Sequence, residues 1–527
     1  MVERSVGLER MDRDACLEYD WITPRRGEPP MTTLAAADVA ETHSAVVFFL
    51  GDRAYKLKKA VDLGFLDFRS REAREAVCHR EVELNRRLAP DVYLGVADVH
   101  GPDGTVCDHL VVTRRLPSDR RLSRLVREGE PVDEHLWHLA HLLGAFHAGS
   151  RRTVEADEAA SVMSTRARWD ANTDGLVRVA GRTFDDSAIE MVHGLACRYL
   201  DGRAPLFEQR IADGRAVDGH GDLLADDIFC LDDGPRVLDC IEFDDRLRLG
   251  DGLADAAFLA MDLERLGRPD LGRSFLEAYG EHRGDVWPTS LADHHIAYRA
   301  QVRAKVSAIL AEQGATGAVA EARGLLDLAA SHLEAGRVRL VLVGGLPGTG
   351  KSTLAHGLAA RSEATVLGSD EIRKEIFGRL GDLPAPEPFG EGLYSEEATA
   401  TTYRALLHRA SVALGLGQSV VLDASWTSAS WRQQARAIAS RTHADLVELR
   451  CEAPPVVAVE RILRRAAAGR QPSDATPGTA AAMAAAAAPW PEATTIDTVD
   501  GPARALRSAM QSVYPQRSMV EHASVAG

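Results

Sequence analysis

Short apolar runs separated by turn residues predict strands in the first part of the chain. Residues 45–50 and 54–61 are rich in apolar side chains and flank Gly51-Asp52-Arg53. Two such runs joined by a short polar turn are typical of a β-hairpin. Residues 70–88 place apolar side chains among charges at helical spacing, which predicts a helix, and residues 110–113 are a further strand candidate.

The middle of the chain has the periodicity of helices. Apolar positions recur at helical spacing in the segments 134–148, 187–199, 253–266 and 298–311, and a strand-rich passage at 219–243 interrupts them. Residues 312–335 are helical or linker-like, with Gly314 and Gly317 as punctuation. We place a domain boundary near 320–335.

A glycine-rich loop follows this boundary, between a largely apolar run at 338–343 and a helix-like segment at 352–361. The loop is Gly345-Leu346-Pro347-Gly348-Thr349-Gly350-Lys351-Ser352, and Thr353 comes next. The order of strand, loop and helix is that of a Walker A loop. In such a loop backbone N–H groups surround a phosphate chain, the lysine contacts the β- and γ-phosphates, and the serine hydroxyl ligates Mg²⁺. We therefore expect these residues to bind ATP with Mg²⁺.

Length and charge narrow the possible functions. At 527 residues the chain exceeds what one hydrophobic core supports, so about two to four domains are expected. The formal net charge is −16. Because an acidic surface does not attract a polyphosphate backbone, nucleic acid is an unfavoured partner.

Cysteine spacing and apolar run length bear on the compartment. The 7 cysteines are scattered without CxxC spacing, which indicates reduced thiols and no zinc site. No apolar run approaches the ~20 residues of a membrane helix. Residues 1–30 are charged and contain no apolar targeting segment. We expect a soluble cytoplasmic protein without a membrane partner, and the oligomeric state stays open.

A second group of candidate residues lies in the strand-rich passage. The run His220-Gly221-Asp222-Leu223-Leu224-Ala225-Asp226-Asp227-Ile228 precedes two short strands, and the second ends in Asp239-Cys240-Ile241-Glu242-Phe243. This order resembles the HGDxxxxN catalytic loop and the following acidic strand of aminoglycoside-phosphotransferase-like kinases, which have the eukaryotic protein-kinase fold. The resemblance implies that Asp222 is the catalytic base and that Asp227 and Asp239 hold Mg²⁺. Asp244 is an alternative metal ligand, and the alternative for Asp239 and Glu242 is a strand of surface ion pairs.

Upstream residues extend this resemblance. Lys56 stands where the strand lysine that holds the α- and β-phosphates is expected, and Glu81 lies in the next helix, where its ion-pair partner is expected. Lys58 points to the same face of a strand as Lys56 and remains an alternative, although we prefer Lys56. Asp227 replaces the usual asparagine, which still permits Mg²⁺ binding but alters the metal site or indicates a weakened kinase.

The resemblance covers nearly the whole chain. Residues 62–68, 85–90, 114–117 and 255–263 resemble segments of bacterial proteins in which such a domain precedes a P-loop kinase domain. This does not identify the acceptor, because one fold serves many substrates.

Residues after the P-loop helix point to an acceptor site. Residues 365–374 are typical of a strand running into a helix, with Asp370 and Arg373 on one side of the first turn. They resemble small P-loop kinases of the gluconate-kinase and polynucleotide-kinase type, in which the aspartate activates a hydroxyl and the arginine contacts the acceptor. The alternative for Asp370 is a helix N-cap. Asp423 ends the run 420–423 and resembles a Walker B carboxylate that holds Mg²⁺.

A basic cluster follows at helical spacing. Arg461, Arg464 and Arg465 resemble lid arginines that close over the transferring phosphate of ATP and stabilise its charge. The alternative is a solvated helix face in an arginine-rich chain.

Together these patterns predict two fold classes. We expect an α+β kinase-like bilobal domain at 1–320, a linker at 321–335, an α/β P-loop NTPase domain with a parallel sheet at 336–515, and a disordered tail at 516–527. The predicted activity is that of an ATP-dependent kinase with two modules, each transferring the γ-phosphate to a hydroxyl of a small molecule such as a sugar or aminocyclitol. The alternatives are a regulatory pseudokinase in one half, or a 5′-hydroxyl polynucleotide kinase in the C-terminal half, which the overall acidity disfavours.

Overall fold

The computed structural model describes residues 38–41, 45–62, 67–179, 181, 183–378, 390–467 and 476–514. The predicted disordered tail lies outside these residues. The chain forms two compact units, one of residues 1–125 with 226–245 and one of residues 126–225 with 246–527. None of the helices in the described segments is both long enough and apolar enough to cross a membrane.

The regular elements follow in chain order. The strands are β1 (Asp38–Glu41), β2 (Ala45–Leu50), β3 (Arg53–Lys58), β4 (Tyr93–His100), β5 (Val106–Arg114), β6 (Ala216–Asp218), β7 (Ile228–Leu231), β8 (Gly234–Val237), β9 (Leu249–Asp251), β10 (Arg339–Gly344), β11 (Thr365–Gly368), β12 (Val420–Asp423), β13 (Asp445–Glu452) and β14 (Thr494–Asp497). The helices are α1 (Arg71–Asn85), α2 (Leu122–Glu128), α3 (Asp133–Ala148), α4 (Val154–Ala159), α5 (Val162–Val179), α6 (Asp186–Asp201), α7 (Ala204–Ala212), α8 (Gly252–Arg265), α9 (Pro269–Arg283), α10 (Thr289–Glu312), α11 (Ala318–Ala335), α12 (Lys351–Ser362), α13 (Ser369–Ile376), α14 (Glu396–Gly415), α15 (Ala429–Arg441), α16 (Pro455–Ala467), α17 (Pro477–Ala486) and α18 (Pro502–Val513).

The first unit is built on an antiparallel sheet of order β1-β2-β3-β5-β4. The predicted hairpin is confirmed, since β2 pairs with β3 from Ala45 opposite Lys58 onward. Helix α1 begins where the Ser70 hydroxyl accepts the Ala73 N–H at 3.1 Å, and its Cys78 and Val82 pack into a buried cluster with residues of the sheet. The β7–β8 hairpin belongs to the same unit.

The helices of the second unit surround a buried ion cluster. Arg210 of α7 binds both carboxylate oxygens of Asp285, at 3.0 and 2.9 Å, and pairs through Nη2 with Asp251 at 2.8 Å. All three side chains are buried. Burial by itself raises the pKa of Asp251, but the charge of Arg210 outweighs it and holds this pKa below its usual value. Asp251 therefore stays ionised inside the fold.

We expect Arg210→Met to lower the free energy of unfolding by about 3 to 5 kcal/mol, because removing one partner of a buried pair leaves the other charge uncompensated. Within the described residues, the remaining ion-pair contact of Asp285 is then the 3.3 Å contact with Arg215. Arg268→Met is the matched control, since Arg268 pairs with Asp270 on the surface, and it should change little. Urea unfolding followed by circular dichroism measures both, and equal small losses would contradict the expectation.

The C-terminal part carries a parallel sheet of order β11-β12-β10-β13-β14. Val343 lies opposite Asp423, and Gly368 lies opposite the same residue on the other side. The carboxyl ends of three neighbouring strands therefore meet at one edge of the sheet. The predicted fold classes, α+β followed by an α/β P-loop domain with a parallel sheet, are confirmed.

The segment predicted as a linker at 321–335 forms most of α11. Its apolar stripe, Ala322, Leu325, Leu326, Ala329 and Leu333, is buried, and the helix packs against α10. Gly317, with φ of 80°, turns the chain just before α11 begins. A helix buried in this way is part of the second unit rather than a tether.

The helical part of the second unit also bonds directly to its P-loop part. The buried Arg203 donates from Nη1 to the Thr442 carbonyl at 2.8 Å, and Ser290 donates to the Gly417 carbonyl at 2.7 Å. An added Cβ at Gly202 would lie 2.1 Å from the same Thr442 oxygen. The backbones are therefore in close contact at this interface.

Candidate functional site

The Walker A loop has a conformation that requires glycine. Gly345, Gly348 and Gly350 have φ of 139°, 84° and 90°, a region that side chains with a Cβ seldom adopt. A Cβ on Gly348 would also lie 2.3 Å from the Ala458 carbonyl oxygen. The loop thus brings its backbone close to its surroundings and leads into α12 at Lys351. Backbone N–H groups at a helix N-terminus attract phosphate.

Hydrogen bonds from two other segments fix this loop. Thr498 donates through Oγ1 to the Thr349 carbonyl at 2.8 Å. Arg461 donates to Thr498 Oγ1 at 3.0 Å and to the Gly348 carbonyl at 3.4 Å. Of the predicted arginine cluster, Arg461 therefore contacts the P-loop backbone.

The other two arginines of that cluster have different surroundings. Arg464 is exposed and pairs with Glu460 one turn earlier, at 2.5 Å, as a solvated helix face would. Arg465 has a buried Nη2 with no hydrogen-bond partner among the described residues. The structure thus brings one of the three arginines to the loop.

Asp423 lies beside the loop, at the end of β12. Its side chain is buried, with 8% of the residue exposed, and its Oδ1 has no hydrogen-bond partner in the described part of the chain. A buried carboxylate oxygen without a donor suits a hard cation such as Mg²⁺. Burial raises the pKa of the nearby Cys451 to about 12. Lys351 lowers this pKa and Asp423 raises it, so both side chains act on the Cys451 thiol.

Asp370 lies in the first turn of α13, where Gly368 is the N-cap residue. The N-cap alternative for Asp370 is therefore wrong, because the helix begins one residue before it. Arg373 is 6% exposed, donates to the Leu393 carbonyl at 2.6 Å and lies 4.8 Å from the Tyr394 ring centroid. Its Nε has no hydrogen-bond partner within the described segments. Arg373 is thus anchored through Nη1 with one donor unused.

An aromatic group near Asp370 escapes prediction from the sequence. The Tyr403 hydroxyl accepts the Trp426 N–H at 3.2 Å, and the Tyr403 ring stacks on Trp431 at 5.3 Å between centroids. Burial raises the pKa of Tyr403, which the charges of Asp370 and Arg373 also influence. Trp426, with φ of 54°, follows the Walker B strand closely. In the sequence, its position just after that strand is what indicates that Trp426 lies near the site.

In the first unit, two lysines and three carboxylates form a lysine–carboxylate cluster. Lys56 Nζ lies 3.0 Å from Glu81 and 2.8 Å from Asp239. Lys58 Nζ lies 2.6 Å from Glu81 and 2.5 Å from Glu242. The structure brings together the predicted Lys56, Glu81 and Asp239, and it adds Lys58 and Glu242. Both lysines contact the helix glutamate, because alternate residues of β3 share a face.

Burial by itself lowers the pKa of Lys56, but the charges of Asp239 and Glu81 outweigh it and hold this pKa well above its usual value. The pKa of Lys58 is also raised, since Glu81 and Glu242 outweigh its burial and the repulsion from Lys56. The pKa of Glu81 is lowered because the two lysines outweigh the effect of its burial. The cluster contains three carboxylates and two ammonium groups, so carboxylates are in excess by one.

Hydrogen bonds of the backbone hold the segment that carries Asp239 in place, directly after β8. The Asp239 N–H donates to the Tyr93 hydroxyl at 3.2 Å, and Asp239 has φ of 61°. The Leu238 N–H donates to the Asp227 carbonyl at 3.0 Å, across the base of the β7–β8 hairpin. Asp227 and Asp239 therefore stand at the same end of that hairpin. An excess of carboxylate oxygens there suits Mg²⁺.

Asp222 belongs to the second unit, on a loop held by buried groups. The N–H groups of His220 and Gly221 donate to the Asp255 carboxylate at 2.8 and 2.7 Å. Asp255 contacts His147 Nε2 at 3.1 Å, and His147 Nδ1 contacts the Tyr279 hydroxyl at 2.8 Å. Burial raises the pKa of Asp255, but the hydrogen bond from His147 outweighs it and keeps this pKa low. No sequence pattern marks Asp255 or His147 as partners of this loop, because both lie far from Asp222 along the chain.

One group of possible metal ligands lies elsewhere among the described residues. Asp170, His193 and Cys197 place one ligand atom each within 4.8 Å of one another. His193 Nε2 already contacts Asp170 at 2.8 Å. A structural zinc site needs four ligands, so this group is incomplete.

Comparisons with known proteins find one family model, curated relatives and solved structures that are similar to parts or most of the chain. Residues 340–490 match the family model AAA_33, an AAA domain. The chain is 43% identical over 491 residues to Uncharacterized protein Rv2004c of Mycobacterium tuberculosis strain H37Rv, covering 93% of this chain and 97% of the relative. A gluconokinase from Sinorhizobium meliloti 1021 covers 36% of this chain and 97% of its own, at 16% identity and a TM-score of 0.26. The GDP and kanamycin complex of APH(2")-IIIa covers 57% of this chain and 95% of its own, at 16% identity and a TM-score of 0.37.

Proposed function

The chain belongs to the family of Uncharacterized protein Rv2004c, and from the two sites that it carries we propose that it is an ATP-dependent phosphotransferase with two kinase-type modules. Each module transfers the γ-phosphate of ATP to a hydroxyl of a small molecule. The observation that supports this most is the edge of the parallel sheet, where the P-loop, Asp423 and Asp370 follow three adjacent strands.

In the P-loop module, the loop N–H groups and Lys351 bind the phosphates of ATP. Asp370 accepts the proton of the acceptor hydroxyl, whose oxygen then bonds to the γ-phosphorus while the bond to the β-phosphate oxygen breaks and ADP leaves. Ser352 and Asp423 are the residues that would hold Mg²⁺, which when bound neutralises charge on the phosphates. Arg373 offers its unused Nε to the acceptor or the phosphate.

In the N-terminal module, Lys56 and Lys58 bind the α- and β-phosphates, with Glu81 orienting both amines. Asp227 and Asp239 would hold Mg²⁺, and Glu242 joins them as a third carboxylate of the lysine–carboxylate cluster. Asp222 is proposed as the base, because Asp255 holds the backbone of the two residues before it. The compartment proposed for both activities is the cytoplasm.

A second candidate for the N-terminal module is a nucleotide-binding regulator without transfer activity. Two observations favour it, namely aspartate at position 227 and the full pairing of both lysines by carboxylates. Such a module would bind ATP without phosphorylating an acceptor.

The test is acceptor-stimulated ADP release by the full-length chain. The panel contains sugars, aminoglycosides and a 5′-hydroxyl oligonucleotide. Lys351→Ala silences the P-loop module and Asp222→Asn the N-terminal module, so each activity is measured in the other's silenced background. No ADP release with any acceptor in either background would overturn the proposal.

Two substitutions in the N-terminal site are expected to weaken ATP binding to different degrees. In a Lys351→Ala background, we expect Asp239→Ala to weaken binding of Mg²⁺ and ATP about 10-fold or more, and Asp222→Ala to change it little. A metal ligand acts already in the ground-state complex, whereas a base matters when the hydroxyl is attacked. Calorimetry with ATP measures both variants. Equal affinities in the two variants would remove Asp239 from the metal site.

A further inference from the structure

The helical part of the second unit contains a small cleft, open to solvent, that the assignments above leave unused. The residues that line it include Arg168 of α5, His295 and Arg299 of α10, Asp251 of β9 and Asp255 of α8. We call it the arginine cleft. Its wall touches the loop that carries Asp222, because Arg299 Nη1 donates to the Gly221 carbonyl at 3.2 Å.

Three arginines line this cleft, and two of them, Arg168 and Arg299, have no carboxylate partner among the described residues, whereas Arg248 pairs with Asp218 at 2.9 Å. Arg168 donates to the Ala159 carbonyl at 2.9 Å and contacts the Thr165 hydroxyl at 3.3 Å. Arg299 donates to the Ala254 carbonyl at 3.1 Å besides that of Gly221. Neutral carbonyls satisfy some N–H groups but do not balance a charge. Burial lowers the pKa of Arg168, and Arg299 lowers it further by repulsion.

The acids that line the cleft are already committed to other partners. Asp251 binds the buried Arg210, and Asp255 accepts from His147 and from the loop backbone. Arg168 and Arg299 therefore line one space without a hydrogen-bonded carboxylate, while the charge of Arg299 helps to lower the pKa of the nearby Asp255. Both arginines are half-buried, and a cation partly removed from water is stabilised when an opposite charge approaches it.

His295 supplies a second, independent feature. It is 4% exposed, lines the cleft, and its Nε2 has no hydrogen-bond partner within the described residues. Burial lowers the pKa of His295 to about 4. The negative charge of Asp251 opposes this shift, and the positive charges of the nearby arginines add to it. The ring is therefore neutral at pH 7 and can donate one hydrogen bond without adding charge. His295 and Arg299 lie one helical turn apart, on the same side of α10.

We propose that the arginine cleft binds an oxyanion, a carboxylate or a phosphate, on the molecule whose hydroxyl the N-terminal module phosphorylates. Arg168 and Arg299 bind the oxyanion through forked N–H groups, and His295 adds a hydrogen bond. The proposal rests on the function proposed above for that module. It narrows the acceptor from any small hydroxyl compound to an anionic one, such as a sugar acid or sugar phosphate.

The test is calorimetry on the full-length chain saturated with ADP, so that the nucleotide sites are filled. The probes are inorganic phosphate, glucose 6-phosphate and gluconate, with glucose as the uncharged control. We expect both sugar anions or one of them to bind and glucose not to bind. The choice between gluconate and glucose 6-phosphate distinguishes a carboxylate from a phosphate. Absence of binding by all three anions would overturn the proposal.

Variants locate the binding. Arg168→Gln is expected to weaken phosphate binding by about 10-fold or more, the loss of one charge-assisted contact. Arg178→Gln is the matched control, because Arg178 is exposed on the same helix and donates to the Asp174 carbonyl. Equal binding by both variants would overturn the proposal. If Arg168→Gln lowers the Tm, Arg168→Lys, which keeps the charge without the fork, replaces it, with a smaller loss expected.

Activity separates this proposal from the function on which it rests. ADP release stimulated by glucose as strongly as by its anions, and unaffected by Arg168→Gln, would keep the kinase and overturn the arginine cleft. Oxyanion binding that depends on Arg168, without any stimulated ADP release, would keep the cleft and overturn the kinase.

Discussion

Replacing Lys351 with alanine is expected to lower acceptor-dependent ATP turnover by the P-loop module about 10³-fold or more, while the domain stays folded. The lysine begins α12 beside a loop of positive-φ glycines, so its charge serves the phosphates rather than the core. Positioned cations that neutralise the transferring phosphoryl group have effects of this size. The measurement is steady-state ADP release in the Asp222→Asn background.

Arg361→Ala is the control for this variant. Arg361 is exposed in the last turn of the same helix, so its loss tests whether any cation on α12 matters. We expect turnover to remain near that of the parent. Full ATP affinity and turnover in a folded Lys351→Ala protein would show that the loop does not bind ATP in the proposed way.

Asp370→Asn is expected to lower turnover of the P-loop module by about 10²- to 10⁴-fold, the usual loss when a general base is removed. ATP binding should change little, because the carboxylate acts on the acceptor hydroxyl. Asparagine keeps the shape of the side chain but does not accept the proton. Steady-state rates with the acceptor identified by the panel measure the effect.

Glu371→Gln is the matched control, since Glu371 is the exposed neighbouring carboxylate of the same helical turn. A favourable interaction with the helix dipole is common to both positions. If the dipole alone explains Asp370, the two variants should behave alike. An unchanged rate in Asp370→Asn would move the search for the base to Asp423.

The P-loop could be predicted from the sequence because its chemistry depends on consecutive residues. The hairpin of β2 and β3 and the parallel sheet follow from local apolar patterns in the same way. The pair of Lys56 and Glu81 needs only a strand followed by a helix. Each of these features depends on residues that are close together in the sequence.

Other parts of the site depend on contacts between distant residues. Lys58 and Glu242 are separated by 184 positions, and nothing local distinguishes Lys58 from Lys56 on one strand face. Tyr403 reaches Trp426 from a different helix. Arg168 and Arg299 approach one cleft from α5 and α10. Spacing in the sequence carries no information on such approaches.

The linker prediction differs from the structure for a similar reason. Gly314 and Gly317 favour a break in the chain, and the break exists, but it is a short turn between α10 and α11. The buried leucines of α11 then bind it to α10. Glycines at such a position are compatible with a flexible linker and with a tight turn. Which of the two forms depends on whether another element packs against the apolar side of the next helix.

The bond between Arg203 and Thr442 has a consequence for synthesis on the ribosome. The two residues are 239 positions apart, and translation adds about 5 to 20 residues per second. Thr442 is therefore made roughly 12 to 48 seconds after Arg203. During that interval the buried guanidinium lacks its distant carbonyl, and the helices that carry it have an uncovered face. The helices around Arg203 thus complete their native hydrogen bonding only after the segment up to Thr442 has left the exit tunnel.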